Sequence, residues 1–111
     1  MQWHLSQGVR CDSGSQASED ECEAAVASLA SDAGATPGRN LQVGSGGSCG
    51  DGGWGGVPRG CVAQSLNAGD WAAHFKTSGP NCNNGYYQVV CSGKKKQGKG
   101  KGKSRSDDTG A

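Results

Sequence analysis

The clearest periodic signal in the chain begins at Ser18. Ser18-Glu19-Asp20-Glu21 has the S-x-x-E form of a capping box, and its acids sit where helix amide dipoles favour negative charge. Apolar side chains then recur at Cys22, Ala25, Val26, Leu29, Ala30 and Ala33, the stripe of one helical face, and Gly34 suits a C-terminal cap. This predicts a helix over about residues 19–33 with Cys22 on its buried side. Its alanines permit close packing against a sheet.

After residue 60 the period shortens to two. Residues 61–66 read as a strand, Asn67-Ala68-Gly69-Asp70 as a turn, and residues 71–76 as a second strand alternating Trp71, Ala73 and Phe75 against Ala72, His74 and Lys76. A helix starting at Asp70 competes with this hairpin, but the six residues before Thr77-Ser78-Gly79-Pro80 are short for one. Asn84-Gly85 opens a last strand over about residues 86–91, with Tyr87, Val89 and Cys91 on one side. The expected fold is α+β, one helix on a short antiparallel sheet. Between helix and hairpin, residues 44–60 hold nine glycines in seventeen positions. That segment reads as a long irregular loop pinned by Cys49 and Trp54.

Composition explains how so thin a chain holds together. Of 111 residues, only twelve are Leu, Val or Phe, and Ile is absent, a level at which many chains stay disordered. Three Trp, two Tyr and one Met bring the large apolar side chains to 18. Buried large side chains contribute roughly 1.5–3 kcal/mol each, against about 1.5 kcal/mol of ordering entropy per residue. Cross-links are needed. Cys11, Cys22, Cys49, Cys61, Cys82 and Cys91 provide three disulfides at typically 2–4 kcal/mol each and imply an oxidising compartment, hence a secreted or cell-surface protein. Their wide spacing lacks the close C-x2–4-C pairs of zinc sites, and no metal is expected. Six cysteines allow 15 pairings, and spacing does not choose among them. No run approaches the roughly 20 apolar residues of a membrane span. The first residues lack the pattern of a signal peptide, so the chain is read as a mature or excised segment.

The formal charge of +1 conceals two opposed parts. Residues 1–93 carry four basic and eight acidic side chains, whereas residues 94–111 carry seven basic and two acidic. This divides the chain into a disulfide-stapled domain and a Lys/Gly-rich tail for which disorder is expected. Lys94, Lys95, Lys96, Lys99, Lys101, Lys103 and Arg105 would attract polyanions in a salt-dependent way. No aromatic interleaves them, so specific nucleic-acid recognition is not expected.

Four segments together carry a family resemblance. They are Glu21-Cys22-Glu23-Ala24-Ala25, then Trp54-Gly55-Gly56-Val57-Pro58-Arg59-Gly60-Cys61, then Asp70-Trp71-Ala72-Ala73-His74-Phe75, and finally Tyr86-Tyr87-Gln88-Val89-Val90-Cys91. Over about residues 11–92 the order resembles small cysteine-rich extracellular domains of marine algae and other protists. Those domains have an eCe-A-A helix, a P-x-GC corner, an aromatic strand and a closing Y-x-x-x-C strand. Lys76 follows Phe75 where that pattern often has Asn. The resemblance implies a secreted or surface module and brings no activity with it.

Candidate chemistry is sparse. Gly46-Gly47-Ser48-Cys49-Gly50 matches G-x-S-x-G without the strand-to-helix elbow the motif needs. Gly50-Asp51-Gly52-Gly53-Trp54-Gly55 matches G-x-G-x-x-G without its βαβ setting, and the lysine-rich stretch after Gly93 lacks the Ser or Thr of a phosphate loop. His74 reads as a solvent-facing residue on the polar side of its strand. Trp54, set between glycine pairs, has two readings: a stacking platform for a sugar ring with Asp51, Gln64, Asn83 and Asn84 nearby, or a plug for the core. Trp71 and Phe75 read as core. Tyr86, opposite Tyr87 in strand direction, is a second candidate contact. The function expected is a non-enzymatic extracellular module, without cofactor, that contacts acidic or neutral polysaccharide through Trp54, Tyr86 and the tail. Alternatives are an interaction subunit of a larger assembly, bound to protein partners, and a small hydrolase.

Overall fold

A computed structural model describes residues 2–50 and 53–93. One helix packs on a five-stranded sheet, and three disulfides join the parts. The elements in chain order are β1 (Trp3–Ser6), α1 (Glu19–Asp32), β2 (Gln42–Gly44), β3 (Gly60–Ala63), β4 (Ala73–Lys76) and β5 (Gln88–Ser92), with a 3-10 turn at Trp54–Gly56. Among the described residues no helix is long and apolar enough to cross a membrane.

The helix forms as its sequence dictates. Ser18 Oγ accepts from the Glu21 amide, and the Glu21 carboxylate accepts from the Ser18 amide at 3.0 Å, which completes the capping box. At the other end Gly34 turns left-handed (φ 75°), its amide bonds the Ser31 carbonyl, and the Ala35 amide bonds that of Ala30. This satisfies two carbonyls that the helix end leaves open. Cys22, Ala25, Val26, Leu29 and Ala30 are buried as the stripe requires; Ala33, expected on it, is the exposed C-cap.

The sheet order is β1-β5-β3-β4-β2. Strands β3 and β4 form the expected antiparallel hairpin, paired from Gly60↔Lys76 to Ala63↔Ala73, which excludes a helix from Asp70. Two strands were not foreseen, and one changes the sheet's character. β1 pairs antiparallel with β5, while β2 pairs parallel with β4, so the sheet is mixed rather than antiparallel throughout. β2 is three residues ending in glycine, too short to carry a period of its own. The strands are also shorter than expected, 60–63 for 61–66, 73–76 for 71–76 and 88–92 for 86–91. The hairpin loop is irregular because Asn67, Ala68 and Trp71 all take left-handed backbone (φ 52°, 62° and 63°).

Both faces of the sheet are covered. On one, Cys22, Ala25, Val26 and Leu29 of α1 meet Cys61, Ala63, Ala73 and Val90, with Trp3, Leu5, Leu41, Trp71 and Phe75 packed at the margin. On the other, Val57, Val62, Tyr87, Val89 and Cys91 form a smaller cluster with Trp54 and Cys11. The glycine-rich segment thus lies on the sheet as the roof of this second cluster, and Gly55, Gly56, Val57 and Pro58 are buried. This corrects the reading of His74, which is 6% exposed instead of facing solvent, and Lys76 beside it is 1% exposed. The polar side of β4 is polar yet covered.

Each disulfide fastens a different joint. Cys22–Cys61 ties α1 to β3, Cys11–Cys91 ties the segment after β1 to β5, and Cys49–Cys82 ties the glycine-rich roof to the loop before β5. Their sequence separations of 39, 80 and 33 residues correspond to about 3.9, 4.5 and 3.7 kcal/mol of loop-closure entropy removed from the unfolded chain. Such a framework is that of an oxidising compartment.

Candidate functional site

The register sets the second face of the sheet in rows. His74 lies between its partners Gln42 on β2 and Val62 on β3, and Val62 in turn faces Val89 on β5. Two residues further along β2, Gly44 has no side chain, and the Trp54 ring fills that space. A Cβ at Gly44 would stand 2.0–2.4 Å from three of the indole atoms. The Trp54 indole therefore rests over Gly44, and a recess of about 200 Å³ opens beside it.

Trp54, His74 and Tyr87 form its aromatic wall, Val57 its apolar part, and Arg39, Gln42 and Gln64 its polar rim. The His74 ring centroid is 5.5 Å from that of Trp54 and 5.2 Å from that of Tyr87, tilted to the first and edge-on to the second. These geometries lock the imidazole. His74 Nδ1 lies 3.2 Å from the Ala72 carbonyl and donates to it, which makes Nε2 an acceptor. No described residue donates to that nitrogen, and none bonds the Tyr87 hydroxyl. Burial holds the imidazole below its ordinary value, opposed by the Ala72 carbonyl. Burial also pushes the Tyr87 phenol up. Both groups are therefore neutral at physiological pH.

Arg39 is held by three hydrogen bonds to two residues. Its Nε donates to Asp70 Oδ2 at 2.6 Å, and its Nη2 donates to Gln64 Oε1 at 2.9 Å and Asp70 Oδ1 at 3.5 Å. Hydrogen bonding from Arg39 holds the Asp70 carboxyl below the usual carboxylate range. Asp70 is itself anchored: its Oδ1 accepts from the Ala72 amide at 3.0 Å, and its carbonyl accepts from Gly38 at 2.7 Å. Side chains 46% and 36% exposed make this pair worth at most about 1 kcal/mol. Its consequence is placement rather than stability.

Of the residues singled out in the sequence, Trp54 and Gln64 do meet at the recess, and Trp54 is both wall and core. Tyr86 is 43% exposed and is not part of the lining; its neighbour Tyr87 is. Asn83 instead bonds the Gly8 and Tyr87 carbonyls, and Asn84 lies under Gly56. Asp51, together with Lys94, Lys95, Lys96, Lys99, Lys101, Lys103 and Arg105, lies outside the described residues. His74, Tyr87, Arg39 and Gln42 were missed, because what gathers them is the unforeseen parallel strand β2 and the roof over the sheet.

A second cluster does not amount to a metal site. The ligand atoms of His4, Asp12 and Cys91 lie within 4.8 Å of one another, but the Cys91 sulfur is bonded to Cys11. His4 Nε2 and Nδ1 are directed to Asp12 (2.6 Å) and to the Gly93 carbonyl (2.8 Å), closing β1 onto the end of β5. All six cysteines are in disulfides, so none serves as a thiolate nucleophile.

No family model matches the chain, and neither the curated proteins nor the solved structures compared with it contain a match.

Proposed function

We propose that this protein is a non-enzymatic, extracellular carbohydrate-binding module of the kind its sequence resembles among small cysteine-rich protist domains. The observation that carries this reading is the recess, in which aromatic rings adjoin two polar atoms, His74 Nε2 and the Tyr87 hydroxyl, that have no partner among the described residues. Sugars present an apolar C–H face and a rim of hydroxyls, so a ring surface beside directional acceptors and donors is complementary to them. Gln64 and Gln42 supply amide groups at the rim, and Trp54 supplies the flat surface. Three disulfides support a secreted location, since such bonds persist in oxidising compartments. The basic residues 94–105 add attraction to anionic glycans, which fades with salt, whereas contact in the recess does not.

A polysaccharide-binding assay on the full chain and on the chain ended after Gly93 tests this. Binding should persist without the tail and at high salt, and Trp54→Ala should weaken it about tenfold or more. Binding that vanishes with the tail removes the recess from the account. Absence of binding by either form, with recovery in a stable protein complex, establishes the subunit reading instead.

A further inference from the structure

We infer that the recess accepts one uncharged sugar ring whose hydroxyl donates to His74 Nε2, and that Asp70 is the residue that keeps charged sugars out. This rests on the carbohydrate reading above. Three observations carry it.

The first is the orphan acceptor. His74 is 6% exposed, its Nδ1 is committed to the Ala72 carbonyl, and no described residue donates to Nε2. A buried polar atom left unpaired costs free energy, and such atoms in native structures call for an explanation. A ligand hydroxyl supplies the missing donor. Burial favours the neutral imidazole, which retains the lone pair needed to accept.

The second is charge. Arg39 is the one charged side chain in the lining, and its ion pair with Asp70 leaves no net charge there to draw a charged sugar. A uronate would ordinarily be drawn to such a guanidinium through two parallel hydrogen bonds. Here Asp70 and the Gln64 amide already occupy Nε and Nη2, and Asp70 adds a like charge against any incoming carboxylate. The backbone is arranged to hold Asp70 there. It accepts from the Ala72 amide, packs against Gly38 where a Cβ would come within 3.0 Å, and precedes Trp71 in a left-handed conformation (φ 63°). A bulky residue at positive φ is costly and persists where its surroundings impose it, commonly at functional sites.

The third is size. About 200 Å³ is below the roughly 300–1,000 Å³ of pockets that enclose drug-sized ligands. One ring fits within and the rest of a chain lies outside.

The test uses the full-length protein on an array of neutral hexose oligomers and their uronate counterparts, at salt high enough that residues 94–105 no longer retain uronate. Wild type should prefer the neutral series by about tenfold or more, and Asp70→Asn should gain uronate binding by a similar factor as Arg39 is released. If Asp70→Asn misfolds, Asp70→Ser replaces it, since its hydroxyl can still accept from the Ala72 amide. His74→Phe, which keeps a ring and removes the acceptor, should lose about tenfold in neutral-sugar affinity. Uronate preference in the wild type, unchanged selectivity in the Asp70 variants, or full affinity in His74→Phe overturns the inference and leaves the carbohydrate reading standing. Failure of the wild type to bind either series overturns both.

Discussion

Lys76 is the most deeply enclosed charge among the described residues and the place where replacement should be felt most distinctly. It is 1% exposed, without an acidic partner among the described residues, and its ammonium donates to the Val57 carbonyl at 3.0 Å and to the Pro80 carbonyl. One of these belongs to the glycine-rich roof and the other to the loop carrying Cys82, so a single β4 side chain ties together two segments with little apolar surface of their own. Lys76→Met keeps the aliphatic stem and removes the donors. The buried Val57 carbonyl then loses its partner at about 1–3 kcal/mol, and the half-buried Pro80 carbonyl loses its own at the low end of that range. Against this, burial and nearby Arg59 hold the ammonium below its ordinary value, so removing the charge gives some free energy back. We expect a net loss of about 2 kcal/mol, equivalent to about 8–16 °C in Tm for a domain of this size. Thermal and urea unfolding followed by circular dichroism, with disulfides intact, measures it. A Met variant as stable as the wild type would refute the reasoning, because desolvation of the charge would then outweigh the carbonyl bonds.

Three further outcomes follow from named positions. Gly44→Ala places a Cβ within 2.0–2.4 Å of the Trp54 indole, so the ring must leave the sheet; glycan binding should be lost while far-ultraviolet dichroism is retained. Ala68→Gly removes an exposed Cβ from left-handed backbone (φ 62°) and should raise stability by up to about 1 kcal/mol in urea unfolding, whereas a decrease would mean the turn is not strained. His74 has a folded value below 6.5, so the unfolded chain holds its proton more tightly. Stability should therefore fall as pH drops below 6.5 and level off beneath the folded value. Asp70 and Arg39 bear on this ring with opposite sign, and His74→Phe should remove this part of the slope in urea midpoints.

Local rules made the helix legible at both ends, because Ser18, Glu21 and Gly34 act through neighbours three or four positions away. The hairpin and the Tyr87–Val89–Cys91 side of β5 were legible for the same reason, since alternation reports the face directly. What escaped was long-range. The parallel pairing of Gln42–Gly44 with β4 joins residues about thirty positions apart and has no local signature. Once the roof at residues 54–58 covers the second sheet face, His74 and Lys76 become interior with Ala72, and a polar side chain on an alternating strand no longer means solvent. The candidate site inherits this division. Trp54 and Gln64 could be suspected from residue type, whereas Arg39, Gln42, His74 and Tyr87 converge only through β2 and the roof.

That convergence depends on cross-links in one particular arrangement. Peptide mapping of the native protein without reductant, by mass spectrometry, tests it most directly. The account predicts the pairs Cys11–Cys91, Cys22–Cys61 and Cys49–Cys82 and no free thiol. Free thiols in the folded chain, or Cys49 joined to any residue but Cys82, would detach the segment bearing Trp54 from the sheet and contradict the recess on which the functional reading stands.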